Sequence, residues 1–315
     1  MTAASQATAT ATRIMCPACG GDSAFASEAP RWGEWRSCRQ CALEFVHPLR
    51  LPQDAMELYG AAYHGQVREG AMLEYQRRLD TRRTILTELR DPRLWFWTPA
   101  FEQVLSWLGQ RVPPGGCVLE LGCGLGFVLH AMRNAGFNAA GLDVAETPVQ
   151  LNRADGFAVW HGPIESMPHG WAKPDALVSF FVLHHLEDPV GFLRAARERA
   201  PNAPIAIAVH GQSDYRRQHE SDASAPPRTL TKWNTRALAA ALAAAGYTPT
   251  VQPVASTGAE RGVLKLARRL AGRAIGLPPV YRAGKRAEAL LLRLLPKRAR
   301  SQGYAVLAFG EPASQ

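Results

Sequence analysis

Two short apolar runs joined by a helical stretch form the first legible unit of the chain. Val118, Leu119 and Leu121 follow one another with too little polar alternation for a half-exposed strand, which predicts a strand buried on both faces. From Phe127 to Ala135 the apolar positions recur at helical spacing, and Gly136 stands where a left-handed residue would end the helix. The run NAAGLD then reads as a second strand that stops on an acid, Asp143. Strand, helix and strand make a βαβ unit, with Glu120, Gly122, Gly124 and Gly126 between its first strand and its helix.

Elsewhere the pattern is coarser. Residues 71–110 read as helical, broken near Asp91-Pro92, with packing from Trp95, Phe96, Trp97 and Phe101. Tyr59 and Tyr63, four apart, would share a helix face. Residues 211–235 are polar and proline-bearing, which suggests a substrate-side loop. Lys232 and Trp233 would touch an acceptor or pack on the surface, and Thr235 would cap the alanine-rich helix that follows. Residues 260–298 hold two amphipathic helices split by GLPP. In the first, Val263, Leu266, Ala267, Leu270 and Ala274 oppose Lys265, Arg268, Arg269 and Arg273; in the second, Leu290, Leu291, Leu294 and Leu295 form the apolar face.

Charge sharpens the reading of that last segment. The chain of 315 residues has 36 Lys and Arg against 27 Asp and Glu, a net charge of +9. Residues 256–302 hold 12 of the bases and two of the acids, leaving 24 and 25 for the rest. The basicity is therefore local. It fits a solvated helix face, docking on an anionic membrane surface or a lipid-linked acceptor, or contact with nucleic acid. Of the three, nucleic acid is the least favoured. No run approaches the ~18 apolar residues that span a bilayer. Residues 1–13 are small and polar, which suggests a disordered tail of a cytoplasmic protein.

Cys16, Cys19, Cys38 and Cys41 form two C-x2-C pairs at the spacing of a tetrahedral zinc site. A pair of disulfides is the rival, and a reducing compartment argues against it. Four thiolates leave no open position, so the expected zinc is structural. Cys117 and Cys123 read as small buried residues.

The glycine loop admits two ligand classes. A dinucleotide wants a third glycine where Phe127 stands, and its phosphates would meet the carboxylate of Glu120. A cation without phosphates, S-adenosylmethionine, fits better: glycine backbone against the methionine moiety, Asp143 on the ribose hydroxyls. The stretch ELGCGLG followed by GLD resembles the first motif and acidic loop of the class I S-adenosylmethionine-dependent methyltransferases. PDALVSFFVLHHLEDP resembles their fourth strand and its loop, NAPIAIAVH their fifth, and GYAVLAFG their last, antiparallel strand. With the cysteines, the whole chain is similar to the bacterial subgroup bearing an N-terminal zinc ribbon, several members of which methylate sugars or other small metabolites.

That resemblance implies an α/β fold: a Rossmann-like, seven-stranded, mostly parallel sheet with helices on both faces. The implied divisions are a zinc ribbon at 14–50, a helical lid or connector at 51–112, and a methyltransferase domain at 113–315 with the basic insertion at 257–300. Glu120, Gly122, Cys123, Gly124, Gly126, Asp143 and Val144 would line the cofactor. Pro163 stands where many relatives have an acid, which passes the adenine contact to the backbone at Ile164 or to Glu165. Phe180 and Phe181 would flank the cofactor or pack in the core. His184, His185 and His210, at the carboxyl ends of strands, are candidates for a base or for substrate contact. The expected activity is methyl transfer to a small-molecule or glycan acceptor, oxygen slightly favoured. An NAD(P)-dependent oxidoreductase, or a non-catalytic S-adenosylmethionine-binding protein that recruits a partner through its ribbon, are the alternatives.

Overall fold

A computed structural model of the chain describes residues 13–29, 32–51, 99–212, 226, 228–255 and 303–313. Its strands are β1 (Ser23–Ala29), β2 (Gly33–Cys38), β3 (Glu44–His47), β4 (Cys117–Leu121), β5 (Asn138–Asp143), β6 (Ala158–His161), β7 (Ala176–Phe180), β8 (Ile205–His210), β9 (Thr231–Lys232), β10 (Tyr247–Ala255) and β11 (Gly303–Pro312). The helices are α1 (Pro99–Arg111), α2 (Phe127–Asn134), α3 (Glu146–Ala154), α4 (Pro189–Arg199) and α5 (Thr235–Ala244).

Seven strands form one sheet in the order β10-β11-β8-β7-β4-β5-β6. Neighbours from β8 to β6 run parallel, and β11 is antiparallel to both β8 and β10. This is the expected fold. Successive strand residues feed opposite cores, which explains the near-continuous apolar runs. Leu119, Leu121, Leu142, Leu177, Ile205 and Ile207 face α4 and α5, whereas Val118, Ala139, Val178, Ala206 and Ala208 face α1, α2 and α3. The chain leaves β4 for β5 and β6, then returns to the other side at β7. The switch between β4 and β7 is where such a sheet opens a crevice.

The cysteine-bearing segment completes its sheet with a borrowed strand. β1, β2, β3 and β9 pair in that order, with Phe45 opposite Thr231 and Glu44 opposite Lys232. Cys16, Ala18, Cys38, Cys41, Leu43 and Phe45 pack into the same core as α4 and α5. Lys232 therefore lies in the ribbon sheet, its ammonium 3.9 Å from the centre of the Trp35 ring, and Trp233 is fully buried. Neither is a surface residue of a free loop. The helix cap moves as well: Asn234, not Thr235, caps α5, its Oδ1 accepting from Ala237 N at 2.9 Å. At the end of α2, Gly136 has φ 92°, as its place in the sequence requires.

Tyr59, Tyr63, Trp95, Phe96, Trp97, the helices read at 260–298 and most of the 211–235 loop lie outside the described residues. Among the described residues, no helix is long and apolar enough to cross a membrane.

Candidate functional site

At the end of β4 the backbone turns sharply, and Gly122 N and Cys123 N both donate to Leu142 O of β5 at 2.9 Å. Gly124, with φ 47°, donates its N–H to Asp143 Oδ2 at 2.8 Å. Among the described residues, a side chain on Gly124 would meet nothing within 4 Å. Gly126 is glycine for another reason: a Cβ there would lie 1.9 Å from Asn152 Oδ1. Cys123 turns beneath the loop, where Asn152 Nδ2 donates to its Sγ at 3.7 Å and Gly141 leaves it room.

Two carboxylates stand at this bend. Asp143 Oδ1 accepts from Ala145 N at 2.9 Å, so the carboxylate links the glycine loop to the start of α3. Glu120 is 3% exposed, and its Oε2 has no hydrogen-bond partner among the described residues. Burial, and then the neighbouring Asp143, push the Glu120 carboxyl well above the usual range. Burial also raises Asp143, against the pull of the Ala145 and Gly124 amides. The bend is acidic, and among the described residues one buried carboxylate oxygen lacks a donor, which suits a cation with hydrogen-bonding groups of its own.

Beside the acids, β6 delivers His161, whose Nε2 lies 3.3 Å from Val144 O. The following short turn, Ile164–Ser166, buries the Ile164 side chain and leaves Glu165 exposed. Arg199 reaches from α4 to the carbonyls of both Ile164 and Glu165.

Across the crevice, β7 ends in Phe180, whose ring lies 4.5 Å from that of Phe101. Phe181 follows at φ 58°, a strained backbone for an aromatic residue. Its ring stacks on His210 at 4.4 Å and 30°. The turn Leu183–His185 places the His184 ring 3.9 Å from His185 and 5.2 Å from His210. The three histidines named from the sequence thus form one cluster, although His210 comes from another strand. Burial and then its two neighbours hold His184 well below the usual imidazole range. Burial holds His185 at about 4, against a hydrogen bond from its Nδ1 to Arg228 O. Both are uncharged at neutral pH.

Several residues that position this site escaped the sequence reading. Asn152 is fully buried and donates Nδ2 to Gly124 O at 2.8 Å, holding the bend from below. Ser179 Oγ donates to Leu121 O at 3.0 Å, tying β7 to β4 at the switch point. Val182 lies where a Cβ on Gly122 would be, 2.5 Å from its Cγ2, so it closes the crevice from the β7 side. For Asn152 the sequence offers only its helical spacing from apolar Pro148 and Val149.

The four cysteines converge as their spacing requires. Cys16 Sγ is 3.6 Å from Cys41 Sγ, Cys19 Sγ is 3.5 Å from Cys38 Sγ, and all four sulfurs lie within 4.8 Å of one another. Zinc–thiolate bonds of ~2.3 Å give tetrahedron edges of roughly 3.8 Å. Backbone amides of Ala18, Gly21, Gln40 and Cys41 point at the sulfurs from 3.3 to 3.4 Å, as thiolate charge demands. The hydrogen bond from Cys41 pulls Cys16 down to about 5. The donor set fits a closed metal site.

A family model described as a methyltransferase domain matches residues 96–252. The ubiquinone biosynthesis O-methyltransferase of Pseudomonas aeruginosa is 31% identical over 99 residues, 29% of this chain and 43% of that protein. The ribosomal protein L11 methyltransferase of Cupriavidus taiwanensis is 26% identical over 153 residues, 46% of this chain and 50% of that protein. The chain therefore spans half or less of the length of these curated relatives. Among solved structures, an S-adenosylmethionine-dependent methyltransferase from Mesorhizobium loti is similar with a TM-score of 0.44 and 16% identity, over 67% of this chain and 97% of that one.

Proposed function

Residues 96–252 match the methyltransferase-domain family model, and from that likeness we propose that the chain methylates an oxygen of a small-molecule or glycan acceptor with S-adenosylmethionine as donor. The observation that carries this reading is the buried Oε2 of Glu120, which stands beside Asp143 at the glycine bend and has no hydrogen-bond partner among the described residues. A diphosphate would meet two carboxylates there; a sulfonium amino acid would neutralise them. When bound, the cofactor supplies a methyl group on a positively charged sulfur.

Each residue's part follows from its place. Glu120 accepts from the ammonium group, Asp143 accepts from the ribose hydroxyls, and Gly122, Gly124 and Gly126 keep side chains out of the way. Val144, Ile164 and Glu165 present backbone to the adenine. Phe180 and Phe181 exclude water and align the acceptor, which is most of what an in-line displacement needs. His210, half-buried and stacked on Phe181, takes the hydroxyl proton, while His184 and His185 stay neutral and hold its ring in place. Calorimetry with S-adenosylhomocysteine and with NAD tests the reading. Binding of the former alone is expected; binding of NAD alone would overturn it in favour of an oxidoreductase.

The four-cysteine knuckle holds one structural zinc in this proposal. Metal analysis should return about one zinc per chain, lost in Cys38→Ser. The reading includes a reducing, cytoplasmic setting, in which the four knuckle cysteines stay available to a metal. The basic segment at 260–298 extends the reading to an anionic membrane surface or a lipid-linked acceptor. Co-sedimentation with phosphatidylglycerol vesicles should be strong at low salt and fade as salt rises; no sedimentation at low salt would remove this extension.

A further inference from the structure

One segment of the chain is hydrogen-bonded on one side to the cysteine knuckle and on the other to the histidine cluster. On the ribbon side, Val46 N donates to Leu230 O at 2.9 Å, and β9 pairs with β3. On the histidine side, Leu230 N donates to His184 O at 2.8 Å, Thr231 Oγ1 to Leu183 O at 3.4 Å, and His185 Nδ1 meets Arg228 O. Residues 228–233 are thus a shared spacer between two elements that are remote in sequence.

A second link is shorter. Ala42, the residue after the fourth knuckle cysteine, sits at φ 58°, a conformation alanine adopts only when its surroundings hold it there. Its N–H donates to Cys38 O at 3.0 Å. Its carbonyl accepts two side-chain amides from the other domain: Gln212 Nε2 at 2.6 Å and Asn234 Nδ2 at 2.8 Å. Gln212 also donates Nε2 to Lys232 O at 3.1 Å and its backbone N to Trp233 O at 2.8 Å. Gln212 follows His210 by two residues, at the end of β8. The knuckle, the 228–233 segment and the strand that carries His210 therefore meet on one amide side chain.

We propose that Gln212 is a positioning residue that couples the metal-loaded knuckle to the histidine cluster, so that the ribbon sets the acceptor side of the site and not the cofactor side. The inference rests on the functional reading above for the roles of metal and histidines. The acid-bearing bend is independent of it, because the hydrogen bonds of Gly124 and Asp143 run to Asn152 and Ala145.

The experiment uses the full chain, loaded with zinc, as wild type, Gln212→Met and Asn234→Asp. Methionine keeps the length of Gln212 without a donor. Aspartate keeps the cap on α5 and removes the donor to Ala42. The histidine ring resonances, amide exchange, zinc content and S-adenosylhomocysteine affinity are recorded for each, and again for wild type after chelation. In both variants zinc content stays near one per chain and cofactor affinity stays within about twofold. The His184 and His210 resonances move, and the Leu230 and Gln212 amides exchange at least tenfold faster. Chelated wild type shows the same shifts. The proposal is overturned if the histidine resonances and Leu230 exchange in Gln212→Met match those of loaded wild type, or if chelation leaves them unmoved. It is also overturned if cofactor affinity falls in parallel, since that marks general loosening. Failure of wild type to bind S-adenosylhomocysteine would instead refute the functional reading; the resonance and exchange comparison does not need that ligand.

Discussion

The acid-bearing edge after β4 and β5 and the histidine-bearing edge after β7 and β8 face one another across the same crevice, yet they are built by opposite means. Glu120 and Asp143 are held by near neighbours: a glycine loop, the amides at the start of α3 and one buried asparagine. His184, His185 and His210 are held by distant ones, through ring stacking and a segment more than forty residues downstream of the histidine pair. Burial acts on both edges but in opposite directions, raising the acids and lowering the imidazoles. Each edge is kept less charged than it would be in water. A cationic ligand would repay that cost on the acid edge, and a neutral acceptor would keep the other edge dry.

Substitutions can break this contrast from either side. Asp143→Ala should have the largest effect. It removes a charged acceptor from the proposed ribose contact and from two backbone amides, and two charge-assisted bonds at ~1.5 kcal/mol each correspond to about 100-fold in S-adenosylhomocysteine affinity by calorimetry. Glu120→Gln should lower that affinity about tenfold, the effect of one charged hydrogen bond, while raising the melting temperature of the unliganded protein. A fall in melting temperature would show that Glu120 is already satisfied.

The pH dependence of stability sharpens the comparison further. Between about 4 and 6.5 the unfolded chain binds protons at His185 that the folded chain refuses, and His184 adds to this, so stability should rise with pH across that interval. The slope is at most about 1.4 kcal/mol per pH unit for each proton. Above the ordinary carboxylate range the raised Glu120 and Asp143 act the other way: the folded chain keeps protons that the unfolded chain has lost, and stability declines as pH climbs through their raised values. Urea unfolding across pH 4–8 should show the acid limb flattened in His185→Asn and the upper limb flattened in Glu120→Gln. The smallest effect is expected from Asn152→Ala, about fivefold in ligand affinity, because one neutral hydrogen bond of ~1 kcal/mol to Gly124 O is lost.

The two edges also differ in how much of them could be read from the chain. Buried strand, glycine bend, helix and acid follow within 27 residues of Cys117, so local pattern sufficed for β4, α2 and β5. The cysteine knuckle was legible for the same reason, since each pair closes on its own tight turn. The junction between ribbon and sheet was not. Thr231 and Lys232 make a strand only because β3 offers a free edge, and nothing in two residues signals that. Trp233 read as an acceptor contact or a surface aromatic, yet it is buried in the core that the ribbon shares. Asn234 displaced Thr235 as the cap because the chain is already extended there, with φ −134° and ψ 175°, whereas Thr235 has joined the helix. Asn152 drew no reading from the sequence, because its role exists only once Gly126 and Gly124 come to rest on it.

The borrowed strand also bears on synthesis. β3 emerges from the ribosome early, but its partner β9 follows roughly 190 residues later, about 10–40 s at ~5–20 residues per second of translation. Until then the nascent ribbon carries an open edge with unpaired amides and carbonyls, next to four thiols that can already capture an ion. A metal bound at this stage would keep the early module folded while it waits, and a chain released before residue 228 would keep that edge available to any other strand it meets.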